Sequence, residues 1–330
     1  MDKNTLFDKV YGCLLGGVIG DAMGAPAEGW HYTDIEEKLG EVRDFSGDGT
    51  DDSALRMILC EAIMQNGGYV SADEFAAAIL RNPQYRKLFY IPVLNTYYKI
   101  QEDLVLPVYA GLGNMPTSSS AMCISPMGII YACNPRQAAL ETYDVAGLIH
   151  GGESSTFCRD GACAIAAAVA EAMSPEASVE SILAASTAYL HPKSSALMID
   201  RIGCILQMAK QAGNYREFRR VFYETSLQNI TCDSRETIPA VLAIFYLAQG
   251  DPVRSIIDGV NFGRDADTIG TMIGAIAGAF HGVAGLKPEW VAKIEQAGSV
   301  QKELAVKLAD LACQKAAQSA GKAKLLASMQ

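Results

Sequence analysis

No stretch of this 330-residue chain alternates apolar and polar residues over the length of a strand, and no Pro/Ser-rich segment divides it. The first absence argues against a sheet-based fold, and the second leaves no place for a linker between domains. A basic stripe is lacking too: 27 Lys and Arg stand against 37 Asp and Glu, a formal net charge of −10, with the cations scattered. Nucleic acid and anionic membrane are therefore poor partners. None of the nine cysteines forms a C-x-x-C pair and most lie inside apolar runs, so buried thiols fit better than zinc or disulfides. The start, Met1-Asp2-Lys3-Asn4, lacks the cationic region of a signal peptide, and glycines and Asp21 soon break the run that follows. A cytoplasmic location is expected.

What is present is apolar and helical. Half of the residues are hydrophobic, enough for a sizeable core. Apolar residues recur every three or four positions over 52–65, 162–173, 181–190, 195–212, 217–226 and 238–249. Ser71-Ala72-Asp73-Glu74 reads as a capping box, and Pro135, Pro252 and Pro288 stand at first-turn positions. Over 6–23 and the residue after it, the glycines 12, 16, 20 and 24 share one helical face. Glycines 270, 274, 278 and 282 do the same in 269–286, a run long enough to span a membrane but only weakly hydrophobic, with Asp265 and Asp267 at its mouth. Small residues at this spacing let helix backbones approach closely in a core. The expected architecture is all-α: one orthogonal multi-helix bundle of a dozen or more helices over 1–330. The irregular stretch 106–126, with Ser118-Ser119-Ser120, is a candidate substrate lid or plain surface loop, and 302–330 reads as packing helix or tail.

The chemistry lies in two acidic clusters. Thr50-Asp51-Asp52-Ser53 and Asp265-Ala266-Asp267-Thr268 each leave a Gly-containing loop and open an apolar helical run. Neighbouring carboxylates repel, and hard cations relieve them by bridging their oxygens. The alternative is helix capping, since acids and hydroxyls are also favoured in first turns. Taken as two halves of one site, Thr50, Asp51, Asp52, Asp265, Asp267 and Thr268 nearly supply the ligands of two magnesium or manganese ions. Glu28 adds a carboxylate after the turn 20–28. Two such ions support hydrolysis.

The ordered motifs G-D-A-x-G-x-x-x-E (20–28), T-D-D-S (50–53) and G-R-D-A-D-T-I-G (263–270) resemble the ADP-ribosylglycohydrolase family, which includes the dinitrogenase reductase activating glycohydrolases. The resemblance implies an all-α fold, a dinuclear magnesium or manganese centre, and hydrolysis at ribose C1 of an ADP-ribosyl group. By position it makes Thr50, Asp51, Asp52, Asp265, Asp267 and Thr268 the metal ligands and Glu28 a gating or acid/base carboxylate, with Glu28, Asp52 and Asp265 the catalytic candidates. The sequence departs from the family in the middle. Where protein-directed members resemble G-N-G-x-A-M-R, residues 117–123 read T-S-S-S-A-M-C, so Ser119, Ser120 and Met122 stand where ADP-ribose is cradled, without the glycines or the Arg. His150 resembles a family position near the substrate ribose and phosphate. Arg264 is a candidate phosphate contact or a screen for the acids, and Phe262, Tyr97 and Tyr131 are base-stacking or core candidates. Trp30 and His31 follow Glu28, the Trp as a loop anchor. Three functions remain open: a hydrolase of ADP-ribosylated protein or small molecule, a hydrolase of a smaller ribosylated metabolite or nucleoside, and a non-catalytic relative, as the family resemblance extends to lens crystallins. Nothing in the sequence indicates the oligomeric state.

Overall fold

The structure is a computed structural model describing residues 3–329, with side chains from residue 5. Sixteen α-helices follow one another among the described residues. The first eight are α1 (Lys3–Gly24), α2 (Tyr32–Lys38), α3 (Asp51–Gln65), α4 (Ala72–Arg81), α5 (Ile91–Gln101), α6 (Ser125–Ile130), α7 (Pro135–Gly147) and α8 (Thr156–Ala172). The second eight are α9 (Val179–Ala188), α10 (Ala196–Ala212), α11 (Tyr215–Thr225), α12 (Ser234–Leu247), α13 (Pro252–Val260), α14 (Ala266–His281), α15 (Pro288–Gln296) and α16 (Gln301–Ala327). No strand forms among them; Leu112 and Gly151 make one isolated bridge. The all-α bundle expected from the periodicity is the fold observed.

Local chemistry sets the helix starts. Ser71 Oγ accepts from Asp73 N at 3.2 Å while Glu74 Oε2 accepts from Ser71 N at 2.7 Å, satisfying donors that the first turn of α4 leaves free. Asn134 and Asp251 cap α7 and α13 ahead of Pro135 and Pro252. One boundary differs from expectation: α12 begins at Ser234, four residues before the apolar run, and carries Pro239 in its interior. A proline there strips the carbonyl of Arg235 of its helical donor. Arg201 Nε supplies the missing donor at 2.9 Å, which lets the helix continue.

The centre of the bundle is the antiparallel pair α1 and α14, packed backbone to backbone along both glycine faces. A Cβ placed on Gly16 would lie 2.1 Å from the carbonyl oxygen of Gly274, and one on Gly20 would lie 2.0 Å from that of Gly270. Only hydrogen fits at these crossings. Residues 5–27 of α1 and its extension are long and apolar enough to cross a membrane, and 89% of that window is buried by the other helices. Gly274→Ala is expected to cost about 2–3 kcal/mol, because the added methyl must force two helices apart. The midpoint of urea unfolding measures it, and an unchanged midpoint would show that the pair has room to spare.

This pairing sets the site. Register along the glycines brings the last turn of α1 against the first turn of α14, with Gly24 abutting Ala266 and Asp267. Asp21 and Glu28 thereby meet Asp265 and Asp267 from the far end of the chain. At the other edge of the molecule, α16 splits into two roles. Leu304, Leu308 and Ala312 are buried, whereas its last turns are exposed. Lys315 pins it, with Nζ 3.5 Å from the ring centroid of Tyr69 and donating to the carbonyl of Gly68 at 2.8 Å.

Candidate active site

All four carboxylates of the two acidic clusters line one cavity of about 190 Å³. Its wall is formed by Glu28, Asp51, Asp52, Asp265, Asp267 and Thr268, together with Ser118, Ser119, Met122, Leu88, Tyr90, Thr231 and Cys232. Residues 216 positions apart in the chain are in direct contact there: Thr268 Oγ1 donates to Asp52 Oδ1 at 3.3 Å. Ligand oxygens of Glu28, Asp265 and Asp267 lie within 4.8 Å of one another.

Asp21 organises the first cluster. It is fully buried on α1 and accepts from Thr50 N at 3.0 Å, Thr50 Oγ1 at 2.8 Å and Ser53 N at 3.0 Å. A carboxylate from another helix thus serves the N-terminus of α3, where the hydroxyl of Thr50 makes no cap of its own. The approach requires Gly49, at φ +108°, because a Cβ there would lie 2.5 Å from Asp21 Oδ2. The second cluster is held by a clasp: Arg264 N donates to Trp30 O at 2.8 Å and Gly29 N donates to Arg264 O at 2.6 Å. Arg264 adopts φ +59° to make both bonds. That clasp ties the loop after Glu28 to the loop before Asp265. Ser118 Oγ then donates to Asp265 Oδ2 at 2.7 Å.

So many acids in so little water raise one another's pKa values. Burial first, and then the neighbouring charges of Asp21 and Glu28, push the Asp51 carboxyl up to about 6. Burial takes Asp265 to about 7 in spite of the Ser118 hydrogen bond. Asp52 and Asp267 are pushed well above the carboxylate range, by burial and then chiefly by Asp267 on Asp52 and by Asp265 on Asp267. Glu28 is raised by burial and by Asp21. Among the described residues Asp52 Oδ2 and Asp267 Oδ1 are buried without a hydrogen-bond partner. A buried carboxylate oxygen in that condition is costly. An all-oxygen, multiply anionic donor set with two orphaned oxygens fits hard divalent cations and fits soft ones poorly.

The remaining residues singled out in the sequence have these places. Thr50 turns its hydroxyl to Asp21 and stands outside the cavity wall. Ser118, Ser119 and Ser120 form a buried 3₁₀ turn in the site's floor, so this part of the irregular stretch is neither lid nor surface loop. Ser119 and Met122 reach the cavity, while Ser120 turns away to His150, which is fully buried behind the wall. His150 Nδ1 and Ser120 Oγ are 2.8 Å apart, and Nε2 and Thr117 Oγ1 are 3.2 Å apart. Burial pulls the imidazole down to about 3, so it is neutral at physiological pH and orients the serine turn. Arg264 points to Glu236, at 2.7 and 2.9 Å, and to the carbonyl of Gln228, away from the cavity. Phe262 and Tyr97 are core, and Tyr131 faces Lys315. Trp30 packs on Ala27, Ile35 and Ala266, and His31 caps α2.

Asp21, Ser118, Tyr90 and Cys232 join the site without having been named for it. Asp21 had a signal, an acid between Gly20 and Gly24 at the end of an apolar helix, and Ser118 stands in a serine triplet whose other members were named. Tyr90 and Cys232 have none; they arrive from distant turns, Tyr90 with its amide donating to Asp51 Oδ2 at 3.3 Å.

The sequence profile of the family described as ADP-ribosylglycohydrolase matches residues 2–319. The chain belongs to the ADP-ribosylglycohydrolase family. Within and around this family it is 26% identical to the uncharacterized protein YegU of Escherichia coli (strain K12), over 87% of this chain and 92% of that one. It is also 26% identical to ADP-ribosylarginine hydrolase Tri1 of Pseudomonas putida (strain GB-1), over 93% of this chain and 79% of the relative. A solved structure titled ADP-ribosylglycohydrolase-related protein complex superposes with a TM-score of 0.69 at 22% identity, covering 94% of this chain and 99% of the other, which shows a shared fold. Membership in the ADP-ribosylglycohydrolase family accounts for the motif order 20–28, 50–53 and 263–270, the residues that the glycine-packed helices bring together.

Proposed function

We propose that the chain is a hydrolase that uses two magnesium or manganese ions to cleave the glycosidic bond at ribose C1 of an ADP-ribosyl group. The observation that carries this reading is the meeting of Asp51, Asp52, Asp265 and Asp267 in one cavity with oxygens left unpartnered. The activity named for Tri1 supports the substrate class. Asp51, Asp52, Asp265, Asp267 and Thr268 would hold the ions, whereas Thr50 is engaged with Asp21 outside the cavity wall. When bound, they supply Lewis-acid polarisation of ribose hydroxyls and of water. The protein's own contribution is electrostatic and acid–base. The anionic wall stabilises positive charge developing at C1 as the bond to the leaving nitrogen or oxygen breaks. Glu28, the most exposed of the acids and raised by desolvation and by Asp21, takes the proton of the water that adds to C1. Ser118 holds Asp265 in place.

A second reading keeps the chemistry and shrinks the substrate to a ribosylated metabolite. One observation favours it: among the described residues, the cavity wall contains no Lys or Arg to meet a diphosphate. The test is a hydrolysis screen, in magnesium and in manganese, over ADP-ribosyl-arginine, ADP-ribosyl-serine, O-acetyl-ADP-ribose and simple nucleosides. A charge-assisted phosphate contact is worth roughly 1.5–3 kcal/mol, about ten- to a hundredfold. Comparable kcat/KM for ribosyl compounds with and without ADP is the outcome for the small substrate. A preference above about a hundredfold for the ADP-bearing compound sinks it, and no hydrolysis of any member sinks both readings.

A further inference from the structure

A second, larger cavity of about 630 Å³ opens between α2, α11, the start of α13 and the loop after it. The chain as a whole is strongly acidic, yet this wall carries five arginines, 43, 216, 219, 220 and 254, against Glu36, Glu41 and Asp258. We propose that this basin is a binding site for a small phosphorylated anion of the size of a nucleoside diphosphate, separate from the acidic cavity. The proposal stands independently of the hydrolase reading.

Two guanidinium groups, those of Arg254 and Arg216, have donors to offer, and a third, that of Arg219, is built into the wall. Arg219 is the fixed one: it is 5% exposed, with its Cζ 4.2 Å from the ring centroid of Tyr32 and 5.1 Å from that of Tyr215. Its Nη1 donates to the carbonyl of Asn261 at 2.8 Å and its Nη2 to Glu36, while Nε is buried with no partner among the described residues. Two aromatic faces hold the guanidinium in one orientation, a fixed positive charge beside the cavity. Arg254 uses only Nε, on Asp258 at 2.6 Å, and leaves its two terminal nitrogens free. Arg216 makes no ion pair or hydrogen bond among the described residues.

The acids at this wall do not cancel the arginines for an incoming dianion. Glu36 and Glu41 are 54% and 42% exposed on long side chains, and ion pairs of that kind are worth little, while the buried Asp258 occupies one nitrogen of Arg254 and leaves the other two. A phosphate group accepts bidentately from a guanidinium and brings more charge than either glutamate. The cavity volume is within the range of small-molecule sites. Its walls are also connected to the acidic site, since Tyr32 lies four residues after Glu28 and Asn261 four before Asp265.

Calorimetric titration of inorganic pyrophosphate, and separately of ADP, into metal-free protein in EDTA at 0.15 M NaCl tests the site. Saturable 1:1 binding is expected, at least tenfold weaker in Arg216→Glu and in Arg254→Gln, and changed less than twofold in Asp267→Asn. Both arginines are exposed, and circular dichroism checks that the variants keep their helices. No saturable binding by the wild type, binding that survives both arginine changes, or binding that follows Asp267 instead would overturn the assignment.

Discussion

Replacing Asp267 by Asn is expected to lower hydrolysis at least about a thousandfold in magnesium or manganese while leaving the fold intact. Loss of a positioned charged group in the reacting centre has effects of about that size. Asp267 is 3% exposed, its Oδ1 has no hydrogen-bond partner among the described residues, and its charge is opposed by Asp265, Glu28 and Asp21. Amide for carboxylate removes one of these repulsions. Thermal stability of the variant in EDTA should therefore equal or exceed that of the wild type, and added magnesium should raise the wild-type Tm alone. Wild-type turnover in either metal would reduce Asp267 to an acid that favours the first turn of α14.

The metal-free protein should lose stability as pH rises, with the loss reversed by metal. The carboxyl groups at issue have folded pKa values above their unfolded ones, about 7 for Asp265 and well above the usual range for Asp52 and Asp267. Below about pH 4 they are protonated in both states and contribute nothing. Above it the folded state holds protons that the unfolded state has released, so stability falls with pH until each folded pKa is passed. His150, held neutral by burial, acts in the opposite sense below about pH 6.5, where the unfolded imidazole takes up a proton. The informative window is therefore pH 6.5 to 8.5. In EDTA the Tm is expected to drop across it, and saturating magnesium should abolish the drop, because a cation that binds only the folded chain stabilises it by mass action. A flat profile in EDTA would mean that burial and mutual repulsion do not raise these carboxyl groups.

Much of this architecture is legible in local patterns because local physics produces it. The capping box at Ser71, the prolines at 135, 252 and 288 and the two glycine faces each name a helix start or a contact surface, and all are found. The start of α12 was hidden because Pro239 ordinarily ends a helix, and the group that rescues it, Arg201, lies 34 positions from the carbonyl it serves. In the site, the adjacent acids are visible as a repulsion that needs an explanation. Direction is what sequence withholds: Ser119 faces the cavity and Ser120 faces His150, one residue apart in a single 3₁₀ turn. Asp21 organises residues 29 and 32 positions away through space, and Tyr90 and Cys232 meet the acids only after several helices have packed.

The most direct test of a dinuclear site assembled by α1, α3 and α14 is the anomalous scattering of manganese in crystals of the protein soaked with Mn²⁺. Two peaks inside the cavity lined by the two clusters are expected, with one or both lost in Asp267→Asn. Ordered crystals that show no manganese between Asp52 and Asp267, at concentrations that saturate binding in solution, would contradict it.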